Sequence, residues 1–178
     1  MLSAFRACGY IKHSQLREEL NIANTRIKNF VRDGYLEKCS YLNVHTHESF
    51  DVYRLSDDGR KFCNSQLNMT NFYRSSSAEH DLHVSDRYFS LSVIERDSWR
   101  TEADLRDDLR ERYPDRLDEL QQMLEEKRIS SSDGAYTEES SGSTLAVEIV
   151  TRNYNDQEVE AKQEFARELN VSLDIEKV

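Results

Sequence analysis

The chain has 178 residues, with 37% apolar and 33% charged side chains and a formal net charge of −10. That supplies core enough for one ordinary domain or two small ones. No run approaches the roughly 18–20 apolar residues that a membrane helix needs, so membrane spanning is excluded. One proline and five glycines exclude low-complexity and collagen-like chains. The opening residues lack an apolar core of signal-peptide length, so secretion is not expected. Cys8, Cys39 and Cys63 form no CxxC pair and read as reduced thiols of a cytoplasmic protein.

The charge is unevenly spread. Residues 1–74 hold 11 Lys/Arg and 8 Asp/Glu, a net of +3, whereas residues 75–178 hold 13 and 26, a net of −13. The total therefore argues against nucleic-acid binding only along the whole surface, and leaves binding through the first part open. A salt-adapted host would also favour such acidity. The polar run Ser75-Ser76-Ser77 suits a junction, so two domains are expected, 1–74 and 78–178.

In the first part, Leu16, Leu20, Ile22, Ile27, Phe30, Val31 and Leu36 follow helical spacing with one interruption near Asn21. Ser14 is the expected N-cap of a helix through Leu20. A second helix is expected from Ala23 to Asp33, stopped by Gly34. Two short helices joined by a tight turn form a helix-turn-helix. Leu36–Val44 and Phe50–Leu55 then read as a hairpin, with a polar tip at His45–Ser49. Ser56-Asp57-Asp58-Gly59 starts a further helix, with Phe62 and Leu67 expected to face inward.

This order resembles the winged helix-turn-helix family. The stretch "IKNFVRDGYLEK" at Ile27–Lys38 looks like its recognition helix and first wing strand, and "YRLSDDGRKF" at Tyr53–Phe62 like its wing exit. Helical geometry independently places Thr25, Lys28, Asn29 and Arg32 within an arc of about 100°, with Arg26 on the flank and Ile27, Phe30 and Val31 opposite. Arg and Lys suit phosphates and guanine, and Asn pairs bidentately with adenine. A polar outer face is also what any surface helix carries. The expected contacts to double-stranded DNA are Thr25, Arg26, Lys28, Asn29 and Arg32, with His45 and His47 at the wing tip. His45 and His47 with Cys39 also suggest a metal, but no further ligand pair completes such a site.

In the acidic part, Ala78–Glu95 is expected to be helical, with Leu82, Tyr88 or Phe89, and Val93 inward. Helices follow at Glu102–Arg112 and Asp115–Arg128, the second with Leu117, Leu120, Met123 and Leu124 inward. A strand opens at Gly134, and Thr144–Val150, "TLAVEIV", reads as a strand buried on both faces. Asp156–Leu169 is a helix ended by Asn170, and Val171–Ile175 a final strand.

With Asp133 opening one strand and Glu148 inside the next, this part resembles the core of the PD-(D/E)XK nuclease-like fold. The resemblance implies that Asp133 and Glu148 hold Mg²⁺, Glu102 assists, and a Lys two positions after the Glu helps to activate water. Val150 stands at that Lys position, which argues against an enzyme unless Lys162 substitutes from the following helix. More narrowly, His80-Asp81-Leu82-His83-Val84, Trp99, Glu102, Asp133-Gly134 and Val147-Glu148 are similar in order to the plasmid replication-relaxation family. There His80 carries over as the helix histidine, although a histidine bonded to a neighbouring backbone carbonyl reads equally well.

The sequence thus implies an α+β protein: a winged helix-turn-helix followed by a nuclease-like α/β domain with a small mixed sheet. Its expected function is DNA binding as an accessory in plasmid or mobile-element replication or mobilisation. The second domain would dimerise or dock a relaxase or replication protein. The alternatives are a Mg²⁺-dependent endonuclease and a transcription regulator. No cofactor is expected unless the nuclease-like site is active.

Overall fold

Clustered apolar side chains and local capping account for the elements of each half of the chain. The computed structural model describes residues 1–43, 46–73, 77–150 and 154–178. These fall into two compact units, Met1–Ser90 and Leu91–Val178.

In the first unit, α1 (Leu2–Ala7) and β1 (Ile11–Lys12) lead into α2 (His13–Glu18) and α3 (Asn24–Arg32). Strands β2 (Leu36–Leu42) and β3 (Ser49–Leu55) form the wing, followed by α4 (Asp57–Leu67) and α5 (Ala78–Ser90). The sheet order is β1-β3-β2, antiparallel throughout, with Leu36 opposite Leu55 and Ile11 opposite Tyr53. This is the element order of a winged helix-turn-helix. Ile11, Leu16, Ile27, Leu36, Val52 and Leu55 are buried together with Ala4, Phe5 and Cys63.

Three expectations for this unit are corrected. Helix α2 begins one residue before Ser14, because the Gln15 side chain reaches back and its Oε1 accepts from Lys12 N at 2.9 Å. Phe62 and Leu67 do not face inward; they are 39% and 47% exposed. The inner face of α4 is instead Gly59 and Cys63, since the helix lies so close to the backbone leading into β2 that a Cβ on Gly59 would stand 2.2 Å from the Tyr35 carbonyl oxygen.

The third correction concerns the boundary: α5 belongs with the first unit, not with the acidic part. Polar ties hold it there. Lys12 Nζ meets Asp86 at 2.7 Å, Gln15 Nε2 donates to Asp86 at 2.9 Å, and Ser85 Oγ donates to Gln15 Oε1 at 2.8 Å. Gly9 packs so tightly on α5 that a Cβ there would lie 1.8 Å from an Asp81 carboxylate oxygen.

In the second unit, α6 (Val93–Asp97), β4 (Arg100–Thr101), α7 (Glu102–Arg112) and α8 (Leu117–Glu125) precede β5 (Gly134–Thr137) and β6 (Thr144–Val150). Helix α9 (Asp156–Leu169) then carries the chain to β7 (Ser172–Lys177). The sheet order is β4-β5-β6-β7; β6 and β7 are parallel and the other pairs antiparallel, so the sheet is mixed, as expected. Capping boxes at Ser92, Thr101 and Asn155 start α6, α7 and α9, each satisfying backbone N–H groups that a helix start leaves unpaired. Leu105, Leu109, Leu120, Ile129, Ala135, Ala146, Phe165 and Leu169 form the core.

Here too the apolar stripes are narrower than expected. The helix expected through Glu95 stops at Ser90 and restarts after the Ser92 cap, which turns Val93 outward at 64% exposure. Leu117, the first residue of α8, is also exposed, leaving Leu120 as the buried member of that stripe.

Two glycines make the packing testable. A Cβ on Gly134 would lie 2.3 Å from Cζ2 of the buried Trp99, against which β5 runs. Gly59→Ala and Gly134→Ala are each expected to destabilise by about 1–3 kcal/mol, since backbone or a locked ring must move. Urea denaturation checks this, and a variant with an unchanged midpoint would refute the close approach at that glycine.

Candidate functional site

Two groups of side chains carry chemistry, one in each unit. The first is the outer face of α3. Ile27 is fully buried and Phe30 and Val31 half-buried, which orients the helix and turns Thr25, Lys28, Asn29 and Arg32 to solvent. Gly34, at φ +79°, ends the helix, and Tyr35 N donates to Phe30 O at 2.9 Å. The structure therefore brings these four expected residues onto one exposed face.

Charges on that face are differently committed. Arg32 is tied to Asp33, whose carboxylate meets Nε at 2.8 Å and holds the guanidinium pKa above its ordinary value. The Arg26 guanidinium lies 5.7 Å from the Phe30 ring centroid. Among the described residues, Thr25, Lys28 and Asn29 have no side-chain hydrogen bond or ion-pair partner. On the wing, Lys38 pairs with Asp51 at 2.8 Å and Arg54 with Glu37 at 2.7 Å, so those cations are neutralised locally. His47 is exposed at the tip with φ +57°. His45 lies outside the described residues, and with it the metal idea that joined it to Cys39 and His47.

The second group surrounds Glu148, fully buried in β6. Its Oε1 accepts from Tyr154 OH at 2.8 Å and meets Lys162 Nζ at 2.9 Å; its Oε2 accepts from Asp133 N at 3.2 Å. Asp133 in turn accepts from Ile149 N at 2.8 Å. Lys162 also donates to Ser131 O at 2.7 Å, and Ser131 Oγ donates to Glu102 at 3.1 Å while accepting from Arg106 Nε at 2.8 Å. Arg106 closes the ring by an ion pair with Glu102 one helical turn away.

All four residues expected for a nuclease-like site therefore lie in one connected network. Val150 is buried in the strand, and the ammonium comes from α9 instead. Sequence reasoning missed Tyr154, Ser131 and Arg106; of these only Arg106, four residues after Glu102, carried a local signal. Among the described residues no three His, Cys, Asp or Glu side chains group as a metal site. Asp133 and Glu148 do supply two carboxylates, the number Mg²⁺ commonly takes from a protein when water and substrate phosphate complete its shell, so the donor set fits that ion in kind. Beside Lys162 and Tyr154 opens a cavity of about 780 Å³, whose other cationic lining residues are Arg106, Arg110 and Lys127.

Burial and, after it, the neighbouring charge of Asp133 raise the pKa of Glu148 to about 7, against the opposing pull of Lys162 and Tyr154. Burial, then the nearby Glu148 charge, raises that of Tyr154. His80, buried in α5, meets Tyr73 OH at 3.0 Å through Nδ1.

No family model matches the chain, and no curated protein matches it. A solved structure, PadR from Bacillus subtilis in complex with operator DNA, aligns over 70% of this chain and 76% of that one, at 17% identity and a TM-score of 0.28. A superposition that loose carries no argument about this chain. No described helix is long and apolar enough to cross a membrane.

The Glu148 shift has a signed consequence. Between its unfolded value, near the ordinary 4.5, and about 7, the unfolded chain carries the charge and the folded chain the proton. Stability is therefore favoured by Glu148 at low pH and lost as pH rises through that window, by on the order of 3 kcal/mol. Glu148→Gln, which cannot titrate, is expected to gain on the wild type by that amount between pH 4.5 and pH 8. Denaturation at both pH values checks it, and a constant difference would refute the raised pKa.

Proposed function

We propose that the first unit binds double-stranded DNA by laying α3 in the major groove, with the wing beside it. One observation supports this most: Thr25, Lys28 and Asn29 are exposed side by side, without partners among the described residues, on a helix whose opposite face is anchored in the core. Lys28 and Arg32 make phosphate or guanine contacts, Asn29 reads adenine, and Thr25 and Arg26 contact the flanking backbone. His47 reaches from the wing, and His45 is assigned the same role from its place in the sequence.

The second unit carries 12 Lys/Arg against 23 Asp/Glu, which suits it to a partner rather than to phosphates. In the finer form of this reading that partner is a second copy, a relaxase or a replication protein, and the chain serves plasmid or mobile-element replication. A transcription regulator would use the same DNA face.

Lys28→Ala and Arg32→Ala are each expected to weaken duplex binding and to lower the slope of log K against log salt by about one unit. The Arg32 effect should be the smaller, because Asp33 already competes for its guanidinium. Titration of labelled duplex at several salt concentrations tests both; unchanged slopes would remove α3 from the interface.

A second reading, hydrolysis of DNA by the second unit, is favoured by the placement of Lys162 at 2.9 Å from Glu148. Mg²⁺ held by Asp133 and Glu148 would polarise the phosphodiester and acidify its bound water. Lys162 supplies the ammonium that Val150 does not, the Ser131 carbonyl orients it, and Glu102 holds Ser131 in place. Mg²⁺-dependent nicking of plasmid DNA that vanishes in both Glu148→Ala and Lys162→Met is the expected result. No nicking by the wild type would retire this reading.

A further inference from the structure

The Lys162 ammonium sits between two oxygens of different origin. Glu148 Oε1 lies 2.9 Å from Nζ, and the Ser131 carbonyl oxygen accepts from it at 2.7 Å. A carboxylate and a backbone carbonyl are also what oxygen-preferring divalent cations take from a protein. The ammonium therefore stands where an ion of that class would find two ligands.

Both oxygens are held by bonds that do not involve Lys162. Ser130 N donates to Ala161 O at 3.1 Å, which ties the residue before Ser131 to α9. Ser131 Oγ is fixed by Arg106 Nε at 2.8 Å and by Glu102 at 3.1 Å. Glu148 keeps the Tyr154 hydroxyl on Oε1 and the Asp133 N–H on Oε2. Removal of the ammonium thus leaves the oxygen pair anchored.

Charge decides which donor must yield to an incoming ion. The Tyr154 hydroxyl and the Asp133 N–H are neutral and can stay. An ammonium and a dication on one buried carboxylate oxygen, out of water, repel strongly. Lys162 also has somewhere to go. Its side chain is 12% exposed and lines the cavity of about 780 Å³ beside Tyr154, and a flexible four-carbon stem can swing its charge into that space.

We propose that Lys162 is the resident cation of this site and competes with a divalent ion for the place between Glu148 Oε1 and the Ser131 carbonyl oxygen. An ion that enters sends the ammonium into the cavity. At low ion levels the lysine keeps the place, and the unit holds its buried acid without a metal. The competition shares Glu148 with the hydrolysis reading but does not rest on it: that reading needs strand cleavage, and this one only binding.

The probe is Mn²⁺, titrated into the full chain, with the free ion followed by electron paramagnetic resonance. Lys162→Met keeps most of the stem and loses the charge; it should bind one Mn²⁺ more tightly than the wild type by about tenfold or more. Adding Glu148→Gln to that variant should abolish the gain. Lys162→Met leaves a buried carboxylate without its cation, so it can fail to fold alone. In that case added Mn²⁺ should restore the fold, read by circular dichroism.

Equal Mn²⁺ affinity in the wild type and Lys162→Met would overturn the competition. So would a gain that survives Glu148→Gln, or an unfolded Lys162→Met that Mn²⁺ leaves unfolded. A wild type that binds Mn²⁺ more weakly than Lys162→Met but never nicks DNA would retire the hydrolysis reading and leave the competition standing.

Discussion

A carboxylate taken wholly out of water costs several kcal/mol unless charge and hydrogen bonds replace its hydration. Glu148 meets that condition from three separate segments: Lys162 on α9, Tyr154 just before α9, and the backbone N–H of Asp133 leading into β5. Satisfying the acid therefore fixes the approach to β5, the strand β6 and the crossover helix together. The apolar core of Leu105, Leu109, Phe165 and Leu169 is non-directional and would tolerate some sliding. The acid would not, because a small displacement leaves a buried charge unmatched. Its pKa of about 7 shows how nearly balanced the arrangement is: loss of water and the charge of Asp133 oppose the pull of Lys162.

The first unit is held by a different device with the same logic. Gln15, buried near the start of α2, uses one amide to serve three partners: its oxygen accepts from Lys12 N and Ser85 Oγ, and its nitrogen donates to Asp86. Because α2 precedes α3 by a short turn, fixing α2 to α5 also steadies the platform on which α3 presents its outer face. That separation of duties explains how Thr25, Lys28 and Asn29 remain uncommitted: the polar ties that hold the unit together lie elsewhere.

Local rules made much of this readable. Gly34, Asn170 and the Ser56 cap mark helix ends where turn and cap chemistry place them, and "TLAVEIV" is a strand buried as its composition requires. The face of α3 followed from its 3.6-residue period. What escaped was set by tertiary contact. Phe62 and Leu67 are the bulkiest apolar residues of their helix, yet close backbone approach selected Gly59 and Cys63 for its inner face. The Ser75–Ser77 run was a reasonable boundary by composition, but Gln15 and Asp86, 71 residues apart, place α5 with what comes before it. The Lys162 ammonium was visible as an alternative to Val150; that it reaches Glu148 depends on the packing of α9 across the sheet. Tyr154 carried no pattern at all.

The membership of α5 in the first unit also has a consequence in time. A nascent chain that has emerged through Tyr73 already holds α3 and both wing strands, but not Ser85 or Asp86. Cys8 is fully buried in the finished unit, where loss of water raises its pKa and Ser85 is its hydrogen-bonding neighbour. Before α5 arrives, that thiol has no Ser85 hydroxyl beside it. A chain that ends before α5 therefore leaves both the Cys8 thiol and the Gln15 amide without the partners that residues 85 and 86 bring.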